Sequence, residues 1–551
     1  MRRLISTAMA VLSGCCVLSP FASAQQGMAE GWTSVAKIPD EVAAGEAHYR
    51  AEKGSAFRLD RAALSAVLQG APLEGTAAAV NPLRVRIPMP DGGFSAFDVV
   101  ESPNMPAELS ARYPEIKSYA GKGVDEPEMT IRFDLSPYHG FSGMILTPGS
   151  AIYVYRYTKT NLDYYTAFEK KNFGGRLGAW KCYTVDPMPP IADRDFTPGR
   201  AGDEIYTYRL AAAATGEYCQ ATGGAVAPTL AAINSVVNEI NAIYIRDFAV
   251  RFVLANRNDL IIWTNPATDP YTAPNNPPNT AAENTNAINT RIGSSSYDVG
   301  HVMMAGNFGG VSLGLGLVCN ENTKARAFSS SDPPTGFAMS TRIMAHELGH
   351  QFSSPHSWNN CPPVAQQRGA NNAYEPGSGN TIMSYAGLCD AENLATDPDP
   401  MFNQGTQQFV HSFTRTGGGA FCGTRTASGN SVPQVDAGPD WTIPKGTPFV
   451  LRGQGQDADV DAALTYSWEQ RNLGDPISVL APDDGRSPII RVRPPTTTAE
   501  RTIPVLGALQ SGIFELGEIL PTTARPVAFR LTVRDNNPVA GGIAVDDMVV
   551  N

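Results

Sequence analysis

The stretch HELGHQFSSPH, His346–His356, gathers three of the chain's seven histidines into eleven residues. On a helix His346 and His350 stand on one face, four residues apart, so both imidazoles reach one ion. Glu347, about 100° further round the axis, sits beside that ion, where its carboxylate can take a proton from zinc-bound water. A continuing helix would carry His356 to another face. The chain must therefore turn sharply after about Phe352, and Ser353-Ser354-Pro355 suits a turn. Three neutral histidines leave a fourth tetrahedral position to water, the open geometry of a catalytic zinc site. Chance would produce three histidines at fixed spacing about 10⁻³ times in a chain of this histidine content, before a glutamate is also required.

Upstream, from Ile205, a strand-like IYTYRLAAAA precedes APTLAAINSVVNEINAIYIRDFAV, whose apolar residues recur at three- and four-residue spacing. RFVLA and IIWT read as strands, AAENTNAINTRIG as a helix and GHVMM as a strand, an alternation that predicts a mixed α/β sandwich. GGVSLGLGLVCN is apolar and Gly-rich, as suits an edge strand. An extended peptide could add itself there, along Gly309 to Leu317.

Further out, residues 25–200 alternate β-rich runs such as MTIRFDLS and AIYVYRYT with loops and hold no cluster of catalytic residue types, which reads as a pro-segment. PMPPIADRDFTPGRAG closes it as a linker and processing region, and an activating protease is an expected partner. Residues 201–428 form the expected catalytic domain. Beyond the linker GTRTASGNSVPQ, residues 431–551 give short strands between Pro, Gly and Asp turns, with Trp468 as a core anchor, and read as an immunoglobulin-like β-sandwich. Residues 1–24 carry two arginines, an apolar run and Ala22-Ser23-Ala24, the order of a secretory signal; Leu12-Ser13-Gly14-Cys15 offers the rival reading of a lipidated Cys15. The expectation is an exported protein with no membrane span. A net charge of −11, from 42 Lys and Arg against 53 Asp and Glu, argues against nucleic acid as a partner.

HELGHQFSSPH followed by TIMSYAG resembles the metzincin metalloproteases, and the HELGH wording resembles the adamalysin or reprolysin branch. TYRLAAAATGEY, YDVGHVMM, GGVSLGLGLVCN, TKARAF and YEPGSGNTIMSYAGLCD are similar to bacterial secreted reprolysin-like peptidases, and the tail resembles the PKD-type modules that follow them. The resemblance implies zinc ligands His346, His350 and His356, Glu347 as general base, and Met383 as a hydrophobic floor beneath the metal. It also implies disulfides Cys319–Cys422 and Cys361–Cys389. Two residues depart from the pattern. Ser353 stands where the family has a glycine that favours positive φ, at a cost of about 1 kcal/mol or more. Ser357 stands where adamalysins carry aspartate. Tyr385 resembles the tyrosine with which astacins and serralysins stabilise a tetrahedral oxyanion, or is a buried structural tyrosine.

Cys182 has two readings: a pro-segment thiolate occupying the open zinc position, or a disulfide partner of Cys219, which parity favours. Asp457, Asp459 and Asp461 could hold calcium or form a solvated loop. Glu375 is rejected as a zinc ligand because Pro376 and Gly377 break any helix there, and His301 reads as a structural strand residue. The function expected is a zinc-dependent endopeptidase acting on protein or peptide substrates and made as a latent precursor. The rival is an exported adhesion or polymer-binding protein with a degenerate metal domain, against which the intact Glu347 speaks.

Overall fold

The computed structural model describes residues 30–173, 180–185, 200–460 and 462–551. Residues 1–24, read above as a secretory signal and including Cys15, most of the 187–202 linker and Asp461 lie outside them. The β-rich first part is one antiparallel sheet of nine strands: β1 (Trp32–Val35), β2 (Ser55–Leu59), β3 (Leu83–Pro88), β4 (Phe94–Glu101), β5 (Lys117–Gly123), β6 (Thr130–Ser136), β7 (Gly140–Thr147), β8 (Ser150–Arg156) and β9 (Tyr164–Glu169). They lie in the order β1-β2-β9-β8-β7-β6-β5-β4-β3. Every residue of β6 is buried because the strand has a core on each side. Ile131, Phe133 and Leu135 enter the sheet's own apolar core, and the alternate residues Arg132 and Asp134 face the next part of the chain.

That part is a six-stranded mixed sheet. β10 (Glu204–Ala214), β11 (Val250–Leu254), β12 (Val299–Ala305) and β14 (Ala327–Ser331) run parallel, while β13 (Gly309–Ser312) is antiparallel at the edge and β15 (Thr424–Ala427) is antiparallel to β10. Alternate residues of β10 serve two cores: Leu210, Ala212 and Ala214 pack with the helix Val226–Phe248, and Ala211 and Ala213 with the helix Pro277–Ile292. Two details differ from the sequence reading. IIWT is not a strand: Asn258–Ile261 makes a 3-10 turn and Ile262 bridges to Ala214. Of GGVSLGLGLVCN, Gly309–Ser312 pairs with a neighbour, and the chain then leaves the sheet through Gly314 and Gly316, both at positive φ.

The helix Val226–Phe248 has a polar stripe, and the nine-stranded sheet covers it. Arg132 Nε donates to Asn238 Oδ1 (3.1 Å), and Asn241 Nδ2 donates to Asn104 Oδ1 (2.9 Å). Glu239 accepts from Tyr155 (2.9 Å) and Ser340 (2.5 Å). Burial lifts the Glu239 carboxyl to about 7, although these hydroxyls pull it back. Apolar residues of both parts, among them Met144, Tyr153, Tyr155, Leu230 and Phe337, form one continuous core.

The C-terminal part holds small antiparallel sheets built from Gln434–Asp436 with Gln454–Gln456, Phe449–Arg452 with Glu500–Ile503, and Thr465–Gln470, Val527–Arg534 and Ile543–Val550. Leu451, Trp468, Ile503, Phe529, Leu531 and Met548 give them a shared core, with Trp468 in the anchoring place its sequence context predicts. The fully buried Arg534 donates to Asp247 Oδ1 of the long helix (3.0 Å). Burial opposes ionisation of Asp247, but the guanidiniums of Arg246 and Arg534 outweigh it and hold the carboxyl below its usual range.

Candidate metal centre

The helix Ala345–Gln351 carries the motif, with His346, Glu347 and His350 buried. Each imidazole is oriented by a backbone carbonyl: His346 Nδ1 lies 2.7 Å from Ile382 O, His350 Nδ1 2.7 Å from Ser354 O, and His356 Nδ1 2.8 Å from Gln367 O. A carbonyl only accepts, so the proton sits on each Nδ1 and every Nε2 presents a lone pair. These lone pairs converge, with His350 Nε2 standing 3.2 Å from His346 Nε2 and 3.1 Å from His356 Nε2. Three acceptors face to face repel unless a cation lies between them. Tetrahedral zinc at about 2.0–2.1 Å from nitrogen sets ligand nitrogens about 3.3 Å apart, so the arrangement fits that ion. Burial, then the neighbouring His356, pushes His346 well below the usual imidazole range, keeping it neutral as a ligand must be.

Past Gln351 the turn required by the sequence is present. Phe352 caps the helix, and Ser353 sits at φ +77°, the conformation for which glycine is favoured. Ser353→Gly should remove about 1–2 kcal/mol of left-handed strain and give back about 0.5–1 kcal/mol in unfolded-chain entropy. We expect a net stabilisation of up to about 1 kcal/mol, seen as a rise of about 2–4 °C in the catalytic domain's calorimetric Tm. An unchanged or lower Tm would show that packing already favours the serine.

Met383 lies directly under the helix: a Cβ added at Gly349 would meet its Sδ at 2.3 Å, so this glycine is required by close approach. The Met383 and Ile382 carbonyls accept from Ser357 N (3.0 Å) and His346. Ser357 donates its hydroxyl to Glu375 Oε1 (2.5 Å), and Glu375 Oε2 accepts from Asn380 N (2.7 Å) and Thr381 N (3.0 Å). The buried Glu375 thus braces the loop leaving His356 against the turn that carries Met383. It stands apart from the histidine cluster, as does His301, held between Gln351 and Ser329. Tyr385 is buried with its ring 4.6 Å from that of His356, and its hydroxyl donates to Gln367 Oε1 (2.9 Å).

The fourth member of the cluster is Cys182, whose ligand atom lies with the three imidazole nitrogens inside 4.8 Å. Its Sγ is 3.7 Å from His350 Nε2, against about 3.6 Å for sulfur and nitrogen on one tetrahedral zinc. The Cys182–Cys219 disulfide favoured by parity is therefore corrected. Both are free thiols, and Cys219 is hydrogen-bonded to Thr229 instead. The other four cysteines form Cys319–Cys422 and Cys361–Cys389.

Cys182 reaches the cluster because residues 181–184 lie along β13, running parallel to it. Gly310 N donates to Lys181 O (2.8 Å) and Tyr183 N to Gly310 O (2.9 Å). A Cβ at Gly310 would meet Glu347 Oε1 at 2.4 Å, so glycine lets the strand lie against the carboxylate. Thr184 accepts from Ser312 N (2.9 Å), and its hydroxyl stands 3.3 Å from Glu347 Oε2. Gln367 Nε2 donates to Cys182 O (2.7 Å) and Thr184 O (3.2 Å), a clamp that sequence reasoning missed because PPVAQQRG carries no periodicity or motif. The calcium reading finds no support. Asp459 is engaged with Ser431 and Asp457 with the backbone of Asp459. Among the described residues the histidine–cysteine group is the one cluster of potential metal ligands.

Residues 205–408 match the family model of the reprolysin-like metallo-peptidases of family M12B, so this stretch is a metallopeptidase domain, and zinc is the metal that family implies. No curated protein sequence matches the chain. No helix among the described residues is long and apolar enough to cross a membrane.

Proposed function

We propose that the chain is an exported zinc endopeptidase made as a latent precursor, in which residues 25–200 are the pro-segment, 201–428 the catalytic domain and 431–551 an immunoglobulin-like module. The observation that carries this reading is the lone-pair geometry of His346, His350 and His356 with Glu347 beside them and Cys182 across the fourth position. A zinc ion held by the three imidazoles supplies Lewis-acid polarisation of the scissile carbonyl and of the attacking water. Glu347 accepts the water proton and delivers it to the leaving amine nitrogen. β13 presents its backbone to an extended peptide and aligns the bond to be cut, while Gly310 allows that peptide close to Glu347. In the latent state the segment 181–184 occupies this strand position, Thr184 covers the carboxylate, and the Tyr385 hydroxyl is turned to Gln367. Once the segment leaves, Tyr385 is the candidate donor to the oxyanion.

The adhesion alternative gains nothing from the site, since Glu347 is not needed to bind metal. The test is digestion of casein by the purified chain before and after nicking with a trace of trypsin, with metal content measured alongside. We expect about one zinc per chain, digestion after nicking, and loss of digestion on EDTA treatment that added zinc restores. A nicked, zinc-loaded protein that cleaves nothing would overturn the reading.

A further inference from the structure

The helix that carries His346, Glu347 and His350 continues a helical run that starts after Gly336, and Ser340–Met344 of that run is a π-helical turn. Gly336 O accepts from Met339 N (3.0 Å) and Ser340 N (2.9 Å), so the amides of Phe337 and Ala338 precede the first bond of the run and need acceptors from elsewhere. Two tyrosines of the nine-stranded part supply them. Phe337 N donates to the Tyr155 hydroxyl of β8 (3.0 Å), and Ala338 N donates to the Tyr49 hydroxyl (3.0 Å). Each hydroxyl donates in turn, Tyr155 to Glu239 Oε1 (2.9 Å) and Tyr49 to Thr335 O (2.7 Å). Ser340 donates to the other oxygen of Glu239, so this carboxyl joins the start of the run to the long helix Val226–Phe248. Gly336, at φ +67°, admits the two rings: a Cβ there would meet Tyr49 Cε2 at 2.9 Å and Tyr155 Cζ at 3.2 Å.

The surroundings of these bonds have the make-up of a permanent interface. Phe337 packs against Tyr153 and Phe173, with ring centroids at 5.6 and 5.9 Å. Arg251 pairs with Glu74 and Lys170 with Asp399, each at 2.6 Å and largely buried. A continuous apolar centre with its polar groups paired is the pattern of an obligate contact. Taking the sheet away would bare Phe337, Asn238, Glu239 and Asn241 together. The segment 181–184 is held differently, as a short strand laid on Gly310 and clamped by Gln367, and it is this segment that reaches the histidines.

We propose that residues 30–173 stay with the catalytic domain when the precursor is activated, as a permanent noncovalent subunit, and that Tyr49 and Tyr155 are positioning residues that fix the start of the helical run carrying His346 and Glu347. Activation then clears only the chain that follows residue 173 from the cleft. The inference rests on the proteolytic reading above and redefines what activation removes. A π-helical turn is an irregular stretch, and left to water at its start Ser340–Met344 would open more readily. Opening there shifts Glu347 against β13.

Two experiments test it. In the first, the trypsin-nicked full chain is separated by gel filtration, and each fraction is assayed for casein digestion and for its fragments. We expect a fragment holding residues 30–173 in the active fractions, at the elution volume of the intact chain. Casein digestion in fractions free of that fragment would overturn the inference. The second compares the nicked double variant Tyr49→Phe, Tyr155→Phe with the nicked parent. Phenylalanine keeps both rings and removes both acceptors. Amide hydrogen exchange read by mass spectrometry should quicken at least about 10-fold over residues 337–344 and stay as in the parent over Pro277–Ile292. The kcat for a peptide should fall about 10-fold with KM little changed. Tyr165→Phe is the control for stability alone. It removes a hydroxyl that the sheet uses internally, between Phe141 N and Leu162 O, and should lower the Tm without moving exchange over 337–344 or kcat. Exchange over 337–344 as slow as in the parent, or quickened equally by Tyr165→Phe, would overturn the positioning role. If no fraction digests casein while the fragments co-elute and the exchange responds, the peptidase reading falls, and the retained subunit and its hold on this helix stand.

Discussion

Glu347→Gln in the trypsin-nicked chain is expected to lower kcat/KM for a peptide by about 10³-fold while leaving zinc content unchanged. Glutamine has the shape of glutamate and can still sit against Gly310, so β13 need not move. What it lacks is a carboxylate able to hold the water proton between attack and departure of the amine. Each His Nε2 keeps its lone pair because the Nδ1 protons are committed to the Ile382, Ser354 and Gln367 carbonyls. Metal affinity and catalysis are therefore expected to separate at this residue. Rate assays with metal analysis on the same samples check the split. Equal loss of zinc and activity would assign Glu347 to holding the metal, and a loss below about 10-fold would require another base.

The clustering of His346, His350 and His356 was legible because its spacing is local. Two histidines on one helical face and a third beyond a turn are written in eleven residues, and the resemblance to the metzincins added the expectation of positive φ at Ser353. Ser357 was legible as a departure but not as a solution, because its partner Glu375 lies 18 residues on, in a stretch without regular pattern. The apolar spacing of Val226–Phe248 predicted the helix correctly, yet Asn234, Asn238, Glu239 and Asn241 gave no sign of being buried. Polar residues on a helix face normally mean water, and here the covering sheet comes from far upstream, as in the contact of Tyr155 with Glu239 across a separation of 84. Cys182 failed for the same reason. Counting cysteines treats every thiol alike, while its position is set by pairing with Gly310, far away in sequence. Long-range pairing carries no local signature.

The second large effect is expected at that cysteine. In the untreated full chain, Cys182→Ala should raise casein-digesting activity at least about 10-fold over the parent, and the variant should shorten itself on storage. Burial, and then the charge of Glu347, push the Cys182 thiol well above its usual range, so without a cation it stays protonated. Were the three imidazoles to hold a zinc ion, its charge would favour the thiolate, and Cys182 would then stand where the attacking water has to bind. Alanine leaves the position open, and the residual hold of the segment is its pairing with Gly310, the Gln367 clamp and the buried Trp180. Those contacts are reversible and a substrate can compete with them. Cobalt substitution gives a readout independent of activity: a thiolate-to-metal charge-transfer band in the parent, absent in Cys182→Ala and retained in Cys219→Ala, because Cys219 lies outside the cluster. If Cys182→Ala is no more active than the parent, strand pairing and the Thr184 hydroxyl over Glu347 suffice for latency, and Cys182 loses the role of lock. If the cobalt band is missing from the parent as well, the thiol does not reach the metal and the fourth position is held by something else.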